Sequence, residues 1–243
     1  MKTNYFDGYT GISLGESQLH YDILLLSIIV LIALFSLFFR YFYPLFIKMW
    51  KDLITLKERR SIFDTDVRKS LFFDGFMQFQ IVYLVSVFYF LVYYQYMGKQ
   101  NYEIRPDFTF LVAIFVLIYA YFFFKQLLYY VYGQIFSERG EYKLWSANYH
   151  TIRYIWEMFL YLPVLWLLFD GRHLFAAVIF FLFIYILFRI AVIYITIRIF
   201  YHKKTGFLYL SLYLCAQEII PLLFLYEGFN YLHNIIQMNT LWH

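Results

Sequence analysis

Six stretches of this chain are each long and apolar enough to cross a lipid bilayer, and that pattern decides its fold class. A crossing helix needs about 20 mostly apolar residues, because it rises about 1.5 Å per residue through about 30 Å of hydrocarbon. The six windows run over 23–43, 71–96, 109–132, 152–169, 174–200 and 207–229. Their apolar character is continuous, whereas a membrane-barrel strand shows about ten alternating residues, so each window reads as a helix that satisfies its own backbone amides in lipid. The expectation is an all-α, polytopic membrane protein. It forms one integral-membrane domain over 1–243, a bundle of six transmembrane helices, because no polar stretch is long enough for a separate soluble core.

Composition agrees with the windows. Hydrophobic residues make up 63% of the chain and charged residues 15%, against about a quarter charged in soluble domains. Residues 1–20 are polar and hold Lys2 as their one base, which does not resemble a cleavable secretion signal. Cys215 is the single cysteine and lies in an apolar run, so it reads as a packing residue that has no disulfide partner within the chain.

The net charge of +4 follows from topology. The segment 44–70 carries Lys48, Lys51, Lys57, Arg59, Arg60, Arg68 and Lys69, and the segments after the third and fifth windows add Arg139, Lys143, Arg153, Arg198, Lys203 and Lys204. The opposite side holds Lys2, Lys99, Arg105 and Arg172. By the positive-inside rule the base-rich side is cytoplasmic and both termini are periplasmic. The bilayer is therefore the expected partner of this charge pattern, and nucleic acid is not.

Between the first two windows, Phe46, Met49, Trp50, Leu53 and Ile54 recur at three- and four-residue spacing, while Lys48, Lys51, Asp52, Thr55 and Glu58 fall elsewhere on the wheel. This predicts an amphipathic cytoplasmic helix lying at the interface, with Phe46, Trp50 and Leu53 on its apolar face. Such a helix either connects the spans along the headgroups or docks a partner or anionic lipid. Tyrosines near the window ends, Tyr93, Tyr94, Tyr96, Tyr129, Tyr130 and Tyr132, read as interfacial anchors.

An ionisable side chain near the bilayer centre costs about 3 kcal/mol on insertion scales. Asp74, Lys125, Glu157, Arg189 and Glu218 all fall inside the windows, and the amides Gln78, Gln126 and Gln217 stand beside them. Together they form a candidate intramembrane polar network. They act either as interhelical glue or as a working interior, since opposite charges lower each other's cost of leaving water. Pro163 and Pro221 are expected to kink their helices, and Pro221 frees the carbonyl of Gln217 beside Glu218. Arg153 and Glu157, four residues apart, are placed to pair along one helix.

Six histidines are present, but no HxxxH or HxxEH spacing joins them, and phosphate loops, GxSxG elbows and CxxC pairs do not occur. No catalytic residue, metal or cofactor is expected.

From Lys203 the chain reads KKTGFLYLSLYLCAQEIIPLL, and Tyr213, Leu214, Cys215, Glu218, Ile219 and Pro221 carry a specific pattern. It resembles the closing signature of a Bacteroidota family of multi-pass membrane proteins catalogued as domain of unknown function 4271. Asp74 followed by Gln78 resembles that family's second-span pattern, and Gln217 departs from it by standing where an apolar residue is usual. The resemblance implies an inner-membrane protein of a double-membraned bacterium and brings no activity with it. The favoured expectation is a non-enzymatic inner-membrane component that binds partner proteins of an envelope or secretion assembly. The second is a small proton- or cation-coupled transporter using Glu218, and the third is an intramembrane enzyme built on Glu157 and Glu218.

Overall fold

The computed structural model describes residues 16–55, 67–99, 108–136, 139–169, 173–200 and 220–241. The described residues form six helices and no strand: α1 (Glu16–Thr55), α2 (Val67–Lys99), α3 (Phe108–Phe136), α4 (Arg139–Phe169), α5 (Leu174–Phe200) and α6 (Ile220–Leu241). Five of them, α1 to α5, are long and apolar enough to cross a membrane. Cys215, Gln217, Glu218 and the first part of the sixth window lie outside the described residues.

Two helices depart from the apolar windows. α1 runs unbroken through Pro44 to Thr55, so the expected amphipathic helix over residues 46–54 is the continuation of the first span and not a separate element. A proline in a helix removes one hydrogen bond, here to the Arg40 carbonyl, at about 3 kcal/mol, and the backbone stays helical through it. The side chains of Phe46, Trp50 and Leu53 lie outside the described residues. α4 begins at Arg139, a dozen residues before its window, because Asn148, Thr151 and Arg153 are buried against other helices rather than exposed in a loop. Arg153, counted above among the loop bases, is an interior residue.

α2 and α4 form the centre of the bundle. Their membrane segments are 61% and 56% buried within the protein, against 17%, 22% and 28% for α1, α3 and α5. The two central helices are also the least apolar of the five. Lipid is as apolar as leucine, so the helices that carry polar groups gain most from being enclosed, and the greasiest helices are left to face the acyl chains.

Packing registers give each helix a direction. Ser27 Oγ lies 2.5 Å from the Tyr83 hydroxyl and Phe38 stacks on Phe76 at 4.1 Å, so α1 and α2 run antiparallel. Tyr93 meets Phe110 and Phe79 meets Phe115, which sets α3 antiparallel to α2. The indole of Trp145 donates to Thr196 Oγ1 at 3.0 Å, and Trp156 stacks on Phe188 at 4.7 Å, so α4 and α5 are antiparallel. Tyr89 stacks on Phe229 at 4.7 Å and Tyr93 bonds His233 at 3.1 Å, so α6 is parallel to α2. Gln78 meets Arg153 and Gln95 Nε2 donates to the Leu167 carbonyl at 3.2 Å, so α4 is parallel to α2 and the six directions alternate along the chain. Aromatic pairs contribute about 0.5–1.5 kcal/mol each beyond their buried area, and Tyr93 and Tyr129 take part in such interhelical contacts.

Candidate functional site

Polar side chains gather along the line where α2 meets α4. On α4, His150, Arg153, Glu157 and Tyr161 step by three or four residues and so share one face. On α2, Asp74 and Gln78 are one turn apart, and Gln80 reaches the same neighbour farther along. The Arg153 guanidinium, 4% exposed, donates through Nη1 to Gln78 Oε1 at 2.5 Å and lies 5.6 Å from the Tyr154 ring centroid. Gln80 Nε2 donates to the Tyr161 hydroxyl.

Glu157 sits one turn beyond Arg153 with 0% of its surface exposed, and neither of its carboxylate oxygens has a hydrogen-bond partner. The expected local pair is thus not hydrogen-bonded: the guanidinium turns across to α2, and it reaches both Asp74 and Glu157 through its electrostatic field. Asp74 and Glu157 flank one cation, with the His150 imidazole a turn away, its Nδ1 unpaired. Chemically, the seam binds α2 to α4 through a charge-assisted bond and leaves Glu157 with unused acceptor capacity.

The other expected members of the network sit elsewhere. Arg189 on α5 donates to the hydroxyls of Tyr121 at 3.2 Å and Tyr185 at 2.5 Å, with the Tyr185 ring centroid 4.7 Å away. Lys125 on α3, 2% exposed, lies 5.6 Å from the Tyr129 ring centroid, and Gln126 faces outward. Arg189 is thus held by two tyrosines and Lys125 lies beside one, while Asp74, Gln78, Arg153 and Glu157 meet on the α2–α4 seam. Pro163 is buried within α4, which continues past it to Phe169. Pro221 is the second described residue of α6, and the Gln217 carbonyl that it is expected to free lies outside the described residues.

A second polar feature lies on α6. Leu225, Phe229 and Leu232 pack inward on the core, and a Cβ on Gly228 would come within 2.6 Å of Leu117 Cδ1, so α6 lies close against α3. On the opposite face Leu223, Glu227, Asn230 and Asn234 are exposed. Their steps of four, three and four residues align them in one stripe. The contacts of Phe229 with Tyr89 and of Gly228 with Leu117 fix the depth of Glu227. Counting about 1.5 Å per residue, the two registers set it about 5 Å from the middle of the span Phe72–Tyr96 and about 2 Å from the middle of the span Phe108–Val131.

Glu227, Asn230 and Asn234 escaped the sequence reading because the hydropathy window for the last helix is centred near residue 218. Their three- and four-residue spacing was the available signal. Gln80 and Tyr161 were also missed, since neither an amide nor a tyrosine hydroxyl stands out until its helix partner is known.

Long apolar helices packed around a seam of buried charges define a multi-pass α-helical membrane protein. The chain belongs to the family described as a domain of unknown function, DUF4271, whose model matches residues 23–229 and so takes in the seam and Glu227. No curated protein and no solved structure matches it.

Proposed function

We propose that this chain is a non-enzymatic component of a bacterial inner membrane that works by binding other membrane proteins of an envelope or secretion assembly. In this reading it crosses the bilayer six times with both termini periplasmic. The orientation draws support from the collection of bases on one side, and the sixth crossing from the apolar window 207–229 together with the antiparallel packing of α6 on α3.

One observation carries the partner-binding reading. Glu227 faces away from the bundle at the depth of mid-span residues of α2 and α3, with Asn230 and Asn234 on the same face one and two turns nearer the span ends. A carboxylate facing acyl chains there costs about 3 kcal/mol, and the cost is relieved when another protein covers it. A photoreactive amino acid at position 230, in full-length protein in native membranes, tests this. Irradiation is expected to yield a defined adduct with another membrane protein, and the same probe at Leu182 on the outward face of α5 is expected to label lipid alone. Lipid adducts at both positions count against the reading.

A second reading, proton- or cation-coupled transport, draws on the unpartnered carboxylate of Glu157. In proteoliposomes holding the purified chain it predicts a pH-driven flux that Glu157→Gln abolishes. Equal flux in both proteins, or none in either, removes it.

A further inference from the structure

The partner-binding reading leaves open what covers α6, and the stripe itself constrains the answer. We infer that the outward face of α6 is a seat for a transmembrane helix of a different protein, one that carries a lysine or arginine at mid-membrane depth opposite Glu227. The inference rests on the partner-binding reading and adds the chemistry of the partner.

The face has the geometry of a helix-pairing seam. Leu223, Glu227, Asn230 and Asn234 advance by four, three and four residues, the spacing with which two helices interlock side chains at a shallow crossing angle. The inner face of α6 uses the same steps, with Leu225, Gly228 or Phe229, and Leu232 against the core. Tyr226 and Tyr231, 63% and 69% exposed, border the outer seam and present hydroxyls to whatever lies on it.

Charge selects the occupant. A second copy of this chain inserts in the same orientation, so a symmetric pair formed on this face sets each Glu227 against the other at equal depth. Two carboxylates brought together in a low-dielectric medium repel, and one must take up a proton before the pair can form. An asymmetric contact between copies fares no better. Among the described residues, the outward-facing bases within the spans are Arg40 and Arg198, which lie at the ends of the α1 and α5 spans and not near their middles. Lys125 is buried and Arg189 is held between tyrosines. A foreign helix with one base at the right level instead converts two separate insertion penalties into one ion pair, which Asn230 and Asn234 extend with amide hydrogen bonds across the seam.

The test uses the full-length chain in nanodiscs of phosphatidylethanolamine and phosphatidylglycerol. Fluorescence energy transfer reports its association with three synthetic leucine-rich transmembrane peptides, one bearing a central arginine, one a central glutamate and one leucine alone. The arginine peptide is expected to bind about tenfold or more tighter than the other two, and Glu227→Leu and Glu227→Gln are each expected to erase that preference. Because Glu227 faces outward, neither variant should melt below the parent. Equal affinity for the three peptides, or an arginine preference that survives both substitutions, overturns the inference. So does tight association of two labelled copies that depends on Glu227, which assigns the seat to the chain itself. If arginine selectivity fails while the photoprobe at position 230 still captures a foreign membrane protein, the partner-binding reading stands and only the charge pairing falls. If the photoprobe labels lipid alone, the partner-binding reading fails by its own measurement.

Discussion

Arg153 and Glu157 are neighbours on one helix, yet their removal should have opposite consequences. Arg153 donates to Gln78 across the seam and is the cation that both Asp74 and Glu157 feel. Arg153→Leu therefore strands two carboxyl groups and is expected to destabilise the protein by about 3–5 kcal/mol, read from thermal unfolding in detergent. Glu157 makes no hydrogen bond, and without it Arg153 keeps Gln78 and Asp74, so Glu157→Leu is expected to be neutral or to stabilise by up to about 2 kcal/mol. A large loss from Glu157→Leu would mean that the carboxylate, and not the guanidinium, holds the seam. Glu227 offers a parallel case on the outer surface. Glu227→Leu should stabilise the isolated chain in lipid by about 1–3 kcal/mol, since it removes a charge from the lipid-facing side. That three of the seam's members, Asp74, Gln78 and Glu157, are polar residues inside apolar windows was legible in the sequence, whereas Arg153 was counted with the loop bases. Which of them meet was not, because hydropathy reports how far a side chain lies along a helix axis and is silent about which way it points. Lys125 and Arg189 fall inside apolar windows as the seam residues do, and yet Lys125 lies beside Tyr129 and Arg189 bonds Tyr121 and Tyr185.

Helices follow the windows where their surroundings are uniform and depart from them where one face is polar. α1, α3 and α5 face mostly lipid, so every side chain contributes to the apolar signal and the windows mark them well. α4 starts well before its window because Asn148, Thr151 and Arg153 are enclosed by protein. α6 continues to Leu241, a dozen residues past its window, its polar outer stripe lowering the average over a helix whose inner face is apolar. The close approach of α6 to α3 depends on Gly228. The atom that an added Cβ would meet is the tip of Leu117, so Gly228→Ala asks only for a rotamer change and should cost about 1 kcal/mol or less. Gly228→Leu has no such escape and should push the helices apart. Cysteines placed at positions 124 and 224, where the parent residues Phe124 and Phe224 touch, give the measurement. Oxidative cross-linking should persist in Gly228→Ala and fall at least several-fold in Gly228→Leu. Undiminished cross-linking in the leucine variant would show that α6 is held by α2 alone.

Across the whole molecule, two independent patterns bear on how the chain sits in the membrane. One is the alternation of helix directions, in which α2, α4 and α6 run together and α1, α3 and α5 run against them. The other is the distribution of bases, dense over 44–70 and sparse near Lys99 and Arg172. Alternation requires that consecutive connections lie on opposite sides, and the bases then name the side. If α6 crosses, the number of spans is even and the two termini share a compartment. If it does not cross, the C-terminus lies with the base-rich connection between α1 and α2. Single cysteines at positions 3, 57 and 242, in a chain whose Cys215 is replaced by alanine, separate the two outcomes when intact cells with a permeabilised outer membrane meet a thiol reagent that cannot cross the inner one. Positions 3 and 242 should label to the level seen after lysis and position 57 only after lysis. Protection of position 242 in intact cells would leave α6 docked on the bundle without spanning it. Glu227 would then no longer face the hydrocarbon centre, and the physical reason for a partner on that face would be gone.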